Sequence, residues 1–404
     1  MLKDRTIVLG VTGGIAAYKA AELASQLTQV GAKVNVIMTE EAIQFISPVT
    51  FRGLTGRPVV TEMFDLASEF SIEHVSLAKA ADIVVIAPAT ANIIAKLAAG
   101  IADDMLCCTV LATKAPVVIA PAMETNMYTN PVTRDNLSKL KARSFAIVGP
   151  ATGWLASGKV GLGRLADVND IISSIREVLG RGQDLTGRHI VVTAGGTQEP
   201  IDPVRYISNR SSGKMGYALA EAARDRGARV TLVTAPTSLA EPAGIDIIRV
   251  GTAEEMRRAV ENITAQADAL IMAAAVADYR PKKTAKDKIK KGKSELALEL
   301  VRTPDILGTV KGNFIKVGFA AESSNLVENA RDKLKQKKLD FIVANDITDR
   351  GSGFGSDTNR VAIIDRRGKV DKLPLLTKRE VAERVLNRVA ATFSKPKFRR
   401  PSKR

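Results

Sequence analysis

Short apolar runs recur along this chain, separated by stretches whose apolar period is helical. Thr6–Leu9, Val34–Met38, Ile83–Ala87, Val117–Ala120 and Ala146–Val148 are apolar with little alternation. Runs of that kind read as strands buried on both faces. Between the first two, Ala20, Leu23, Ala24, Leu27 and Val30 share one helical face, and Gly31 stops the helix. The last three strands end in proline-marked turns, APAT, APAM and GPAT. Ile171–Leu179 reads as a closing helix, and residues 181–187 as a linker. The pattern then restarts. Strands are predicted at His189–Thr193, Arg229–Thr234, Asp246–Val250, Ala269–Ala274, Lys316–Ala320 and Phe341–Ala344. A short β pair near Val361–Asp365 and a helix over Lys378–Thr392 complete the second half. Strand–helix alternation predicts an α/β protein of two doubly wound, Rossmann-like domains, 1–180 and 188–394. Ligands then gather at the carboxyl ends of the strands.

One run breaks the pattern. Ala194–Gly216, AGGTQEPIDPVRYISNRSSGKMG, joins a strand to a helix predicted over Met215–Arg226. Connections of this type span about 2–6 residues, and a long ordered loop at a strand end usually carries function. A shorter counterpart, GVTGGIAAYK at Gly10–Lys19, opens the chain.

Composition narrows the class. The 404 residues are 45% hydrophobic and 25% charged, sufficient for two cores. No apolar run spans a membrane and no signal pattern opens the chain. Cys107 and Cys108 are the only cysteines, and neighbours rarely bridge each other. No disulfide framework or zinc site is therefore expected, and a cytoplasmic location is. The net charge of +16 suits phosphorylated ligands. Part of it lies in the tail, residues 395–404, KPKFRRPSKR, which reads as disordered. With 4% aromatic residues the chain lacks stacking platforms, so no specific nucleic-acid partner is expected.

In the first half, Gly13 and Gly14 let a phosphate approach a helix N-terminus, although GVTGGI lacks the GxGxxG spacing. Glu40 ends the second strand where a dinucleotide fold places its ribose-binding acid. Thr39, Thr90 and Asn92 instead offer hydroxyl and amide groups that suit a mononucleotide such as FMN. His74 is one of two histidines and a natural proton handler, whereas His189, at a strand start, reads as structural.

The blocks TGGIAAYK, IEHVSLAKAADIVVIAPATANIIAKLAAGIADD, PAMETNMY and SGKVGLGRL resemble, in order, those of the flavin-containing cysteine decarboxylases. The resemblance implies a flavodoxin-like flavoprotein domain with His74 catalytic and with Gly14, Thr39, Thr90 and Asn92 near FMN. It also implies a redox-neutral decarboxylation by way of a thioaldehyde. Two positions depart from the family. Glu124 stands where PAMN has asparagine; a carboxylate there repels a substrate carboxylate unless it is protonated or turned away. Ser157 stands where the family flap carries a proton-donating cysteine, and a hydroxyl is a far weaker acid than a thiol.

In the second half, Ser211, Ser212, Gly213 and Lys214 form a polar helix start suited to one phosphate. The P-loop pattern fails at Met215. Asp278 closes an apolar strand and can hold Mg²⁺ or a base edge. A lysine-rich stretch, Lys282–Lys293, follows it and reads as a flap over a polyphosphate. AGGTQEPIDPVRYISNRSSGKMG, AAAVADYRP, KIKK, TPDIL, GFAAES and KKLDFIVAND resemble the ligase half of the bacterial bifunctional phosphopantothenate–cysteine ligase and decarboxylase family. The resemblance implies CTP with Mg²⁺ at Asp278, and phosphopantothenate and cysteine joined through an acyl-cytidylate. Asn209 matches the asparagine that binds this intermediate, and Lys288 the lysine that neutralises the transferring phosphate. Met272, Ala273, Ala274, Asp278, Lys288, Pro304, Asp305, Ile306, Leu307, Phe319, Lys333 and Lys337 match nucleotide positions. Ser211–Lys214 are then left for the substrate phosphate.

Three rival readings stand beside this one. They are an active ligase with an impaired decarboxylase half, an NAD(P)-dependent oxidoreductase, and a basic nucleic-acid-binding scaffold. The resemblance further implies a homo-oligomer, with flavin domains in trimers and ligase domains in dimers, together closing a dodecamer.

Overall fold

The computed structural model describes residues 2–63, 73–290, 296–322, 325–346 and 355–393. The tail 395–404 and Lys291 and Lys293 of the lysine-rich stretch lie outside them. The chain divides into two compact units, Met1–Gly180 and Arg181–Arg404.

The first unit is built on six parallel strands in the order Val59–Val60, Lys33–Met38, Thr6–Val11, Ile83–Ala89, Val117–Pro121, Ala146–Ile147. The sheet is covered on both faces, which is why its central strands are continuous apolar runs. Along one strand, Ile7, Leu9 and Val11 pack into one core layer while Val8 joins Val84 and Ile86 in the other. Each such side chain withdrawn from water contributes about 1.5–3 kcal/mol. Chain order reverses between Thr6–Val11 and Ile83–Ala89, with Val8 opposite Val84. That reversal opens a crevice beyond the two strand ends.

The second unit repeats the logic with eight strands. His189–Ala194 and Ala269–Met272 are the neighbours at its switch point, with Val191 opposite Leu270. The strands from Asp246–Arg249 through Phe341–Asp346 are parallel. The short β pair expected near Val361–Asp365 is present. Val361–Asp365 extends the main sheet antiparallel to Phe341–Asp346, with Val370–Lys372 beyond it. The helix Lys378–Phe393 packs Val381, Val385, Leu386 and Val389 into the same core as the helix Lys214–Arg224. No helix among the described residues is long and apolar enough to cross a membrane.

Two local expectations are corrected. The strand expected over Ala269–Ala274 ends at Met272, so Asp278 sits in the turn beyond it. The second strand ends at Met38, and Glu40 opens the short helix Glu40–Ile43. Thr39 caps that helix by accepting from the Ala42 N–H, and the helix takes Glu40 off the strand end. Three hairpins were not predicted: Ala151–Trp154 with Val160–Arg164, Gln198–Pro200 with Tyr206–Ser208, and Tyr279–Pro281 with Leu300–Arg302.

Candidate functional site

Each unit has a cavity at its switch point. That of the first unit measures about 580 Å³ and is lined by Gly13, Gly14, Thr39, Thr90, Asn92, Glu124 and Ser157, among others. Thr12 joins the two sides. Its Oγ1 donates to the Pro88 carbonyl at 2.7 Å and accepts from the Thr90 N–H at 3.1 Å. The helix Ala17–Gln29 begins here without a side-chain cap; Ala17 N and Lys19 N donate to Gly14 O at 2.9 Å and Ala16 O at 3.0 Å, and Lys19 joins the lining. Gly13 is required by crowding, since a Cβ there would lie 2.2 Å from Glu41 Cβ. A hairpin closes the far side, presenting Trp154, Leu155 and Ser157, and Gly163 accepts from the Met123 N–H at 2.9 Å.

Glu124 does not aim a free carboxylate into this chamber. Its side chain accepts from the Asn126 N–H at 2.6 Å and caps the helix Thr125–Thr129. His74 lies outside the lining, half-buried in the first turn of Glu73–Ala80. Asp103, Asp104 and Cys107 cluster closely enough to suggest a metal, but the Lys96 ammonium fills the cluster at 2.9 and 3.1 Å. Hydrogen bonding to Asp103 and Asp104 holds that ammonium well above its usual range. Burial pushes the Cys107 thiol up, aided by the Asp104 charge, so it is no ready nucleophile.

The second cavity measures about 780 Å³. It gathers Asn209, Ser211–Lys214, Met272–Ala274, Asp278, Pro304–Leu307, Phe319, Lys333 and Lys337. The segments that follow His189–Ala194 and Ala269–Met272 are tied side by side, with Gly196 bridged parallel to Ala275. Ala275 N donates to Gly195 O at 2.8 Å, and buried Thr197 Oγ1 accepts from Ala277 N at 2.9 Å. Asn209 ties the long loop to the same segment, its Nδ2 donating to Val276 O at 3.1 Å. Gly213 adopts φ +77° to start the helix Lys214–Arg224, whose N-terminus has no side-chain cap. Lys214 donates to Asp357 at 2.6 Å, and Lys337 to Asp305 at 2.9 Å. Lys378 is buried at the cavity edge; burial and the nearby Lys214 charge push its ammonium pKa down. Lys288 is exposed and absent from the lining.

Sequence reasoning missed Thr12, Thr197, Lys378 and Asn359, a buried residue that lines the second cavity. Threonines at strand ends carry no signal beyond β propensity, and Lys378 reads as the surface start of a helix. Asp278 is an exposed carboxylate in the cavity, and no metal-binding cluster forms around it among the described residues. A single carboxylate suits an Mg²⁺ ion that arrives on nucleotide phosphates better than an all-protein cage.

Comparisons with known proteins agree along nearly the whole chain. Residues 1–180 match the family model "Flavoprotein", and residues 185–393 match "DNA/pantothenate metabolism flavoprotein C-terminal domain". The Coenzyme A biosynthesis bifunctional protein CoaBC of Bacillus subtilis (strain 168) is 47% identical over 97% of this chain and 98% of its own length. Its counterpart from Escherichia coli (strain K12) is 44% identical over 97% and 98%. A crystal structure of the C-terminal domain of such a protein shares 41% identity, covering 52% of this chain and 98% of its own, with a TM-score of 0.46.

Proposed function

The chain belongs to the family of coenzyme A biosynthesis bifunctional proteins, and from that premise we propose how its two units divide the work. It is a bifunctional enzyme, a phosphopantothenate–cysteine ligase and a flavin-dependent phosphopantothenoylcysteine decarboxylase. We assign the ligase to the second unit and the decarboxylase to the first. The observation that carries the ligase assignment is the convergence, in one cavity, of an uncapped helix start, Asp278, Lys333 and Lys337.

In this reading CTP lies across Met272–Ala274, Pro304–Leu307 and Phe319, with Lys333 and Lys337 at its phosphates. Asp278 takes an Mg²⁺ ion carried on those phosphates. The Ser211–Lys214 end accepts a phosphate of one of the two phosphorylated substrates. The carboxylate of phosphopantothenate attacks the α-phosphate of CTP and pyrophosphate leaves. Lys288 offsets the charge that develops, an effect typically worth a few kcal/mol. Asn209 holds the acyl-cytidylate while the cysteine amine displaces CMP.

FMN fits the first cavity on three counts: the uncapped helix start beside Gly13 and Gly14, the hydroxyls of Thr39 and Thr90, and the apolar wall of Met123 and Leu155. When bound, it supplies the electron acceptance that makes loss of carbon dioxide from a cysteine carboxylate feasible. His74 handles a proton of the substrate. Its place outside the lining of its own chamber supports an assembly in which another copy completes the site, as in the trimer expected for this unit. The dimer of ligase units, and the dodecamer joining both contacts, are parts of the same proposal.

The deciding experiment supplies phosphopantothenate, cysteine and CTP with Mg²⁺, and follows CMP and carbon dioxide separately. Lys288→Gln is expected to stop CMP release while carbon dioxide release from supplied phosphopantothenoylcysteine continues. CMP release from that variant at the wild-type rate would overturn the role given to Lys288.

A further inference from the structure

The lysine-rich stretch is not a free solvated loop where it is described. Thr284 Oγ1 donates to Pro200 O at 3.1 Å, and Ala285 N donates to Ile201 O at 2.9 Å. The strongest tie lies further along. Ile289 N donates to Asp202 Oδ2 at 3.1 Å, and Ile289 O accepts from Arg205 Nη2 at 2.8 Å. Both backbone groups of Ile289 are therefore held by one ion pair on the long loop.

That ion pair is itself tightly fixed. Arg205 donates to Asp202 Oδ2 through Nε at 2.9 Å and Nη2 at 2.5 Å. Asp202 Oδ1 accepts from the N–H groups of Val204 at 2.9 Å and Arg205 at 2.8 Å. The Asp202 side chain has no solvent exposure. One oxygen thus builds the local turn, and the other reaches across the sequence. A turn alone needs only Oδ1. The bonds to Ile289 fix the two peptide units that flank it, and the first of these carries Lys288.

We propose that Asp202 is a positioning residue for the first chemical step: through Arg205 and Ile289 it sets where Lys288 presents its charge. The proposal rests on the reading of Lys288 given above. Holding the backbone that carries Lys288 narrows what its exposed side chain must still order on its way to the developing charge, whereas a side chain on a loose segment must order the segment as well. The Ala194–Gly216 run is then a platform for the lysine segment as well as a wall of the cavity.

The test uses the full-length protein with phosphopantothenate and CTP, without cysteine, and follows pyrophosphate in a single turnover. Asp202→Asn is expected to slow this step about 10- to 100-fold, the scale of a misplaced catalytic group. Its apparent KM for CTP should stay near the wild-type value. In the Lys288→Gln background, Asp202→Asn should add no further loss, because both changes remove the same contribution. A purely structural role for Asp202 would add its loss in either background. Ile289→Pro removes the donated N–H within an exposed segment, and should reproduce the slowing even where Asp202→Asn folds poorly. A wild-type rate in either variant, or additive losses with Lys288→Gln, overturns the proposal. A wild-type rate in Lys288→Gln alone is a different result, which removes the reading of Lys288 beneath it.

Discussion

Arg379 Nη1 lies 2.7 Å from Asp225 Oδ2, joining the last helix to the end of the helix Lys214–Arg224. Asp225 is fully buried, and its other oxygen accepts from Arg224 Nε at 3.0 Å and Nη2 at 2.7 Å. One carboxylate thus faces two guanidiniums where two helices meet, and Lys214, at the other end of the first helix, lines the second cavity. Asp225→Ala leaves the buried Arg224 without a carboxylate and Arg379 with Glu383 alone, whose Oε1 lies 2.9 Å from Arg379 Nη2. Removing one partner of a buried pair costs about 3–5 kcal/mol. The expected outcome is a lower melting transition for the ligase unit and weaker CTP binding, with flavin content unchanged. An unaltered transition would show that this contact carries no stability.

Gly163 makes a second close contact. A Cβ at this position would lie 2.1 Å from the Met123 carbonyl oxygen, a backbone atom that cannot turn aside, and its φ is +149°. Gly163→Ala should therefore push the hairpin off the Pro121–Glu124 segment and open the first cavity. Backbone strain alone costs about 1–3 kcal/mol. Purified Gly163→Ala protein is expected to lose flavin absorbance relative to protein absorbance, while CMP release persists. Full flavin occupancy in this variant would mean that the hairpin does not close the chamber.

The strands were legible because a sheet covered on both faces leaves continuous apolar runs. Ile83–Ala89 and His189–Ala194 are buried at every position. The hairpin Gln198–Pro200 with Tyr206–Ser208 was not, because prolines interrupt its run and it is stabilised by Asp202, whose partner Ile289 lies far along the chain. Motif positions such as Asp278, Lys333, Lys337 and Ser211–Lys214 do meet in one cavity. His74 and Lys288 do not line the cavity of their own unit, and sequence spacing carries no information on that. Glu124 shows the same limit. Its residue type raised a charge conflict, and only the structure reveals the Asn126 N–H that engages it.

Acid should weaken the Asp202 clasp in a defined direction. Hydrogen bonding from Arg205, and from the Val204, Ile289 and Arg205 N–H groups, holds this carboxyl well below the usual carboxylate range despite burial. A group whose folded pKa is depressed contributes stability above its unfolded pKa, about 3.9 for Asp, and loses it as pH falls toward the folded value. The stability difference between wild type and Asp202→Asn should be constant from pH 8 to 5 and narrow steadily below about pH 4. Denaturant unfolding of the ligase unit across that range checks it. A difference that stays flat down to pH 3 would deny the depressed ionisation.

Glu124 and Ser157 make the last prediction: both are among the residues lining the first cavity, Glu124 with a carboxylate engaged by the Asn126 N–H but still a carboxylate, and both depart from the family pattern. Glu124 caps the helix Thr125–Thr129, and asparagine is an equally good cap, so Glu124→Asn keeps the fold while removing a negative charge. A like charge at the edge of a partly hydrated site costs an anionic substrate roughly 1 kcal/mol. The KM for phosphopantothenoylcysteine should fall about fivefold, with kcat and the melting transition little changed. Ser157 lies in the exposed turn of the hairpin, where a side-chain exchange meets no packing. Ser157→Cys supplies a group whose ordinary pKa is about 8.5, able to donate a proton where a hydroxyl cannot. In that variant kcat should rise and any oxidised, unreduced product should disappear from the mixture, with KM unchanged. The two effects fall on different constants, so the double variant should show both. A KM unmoved by Glu124→Asn would mean that the carboxylate lies clear of the substrate. A kcat unmoved by Ser157→Cys would place the proton donor elsewhere in the chamber.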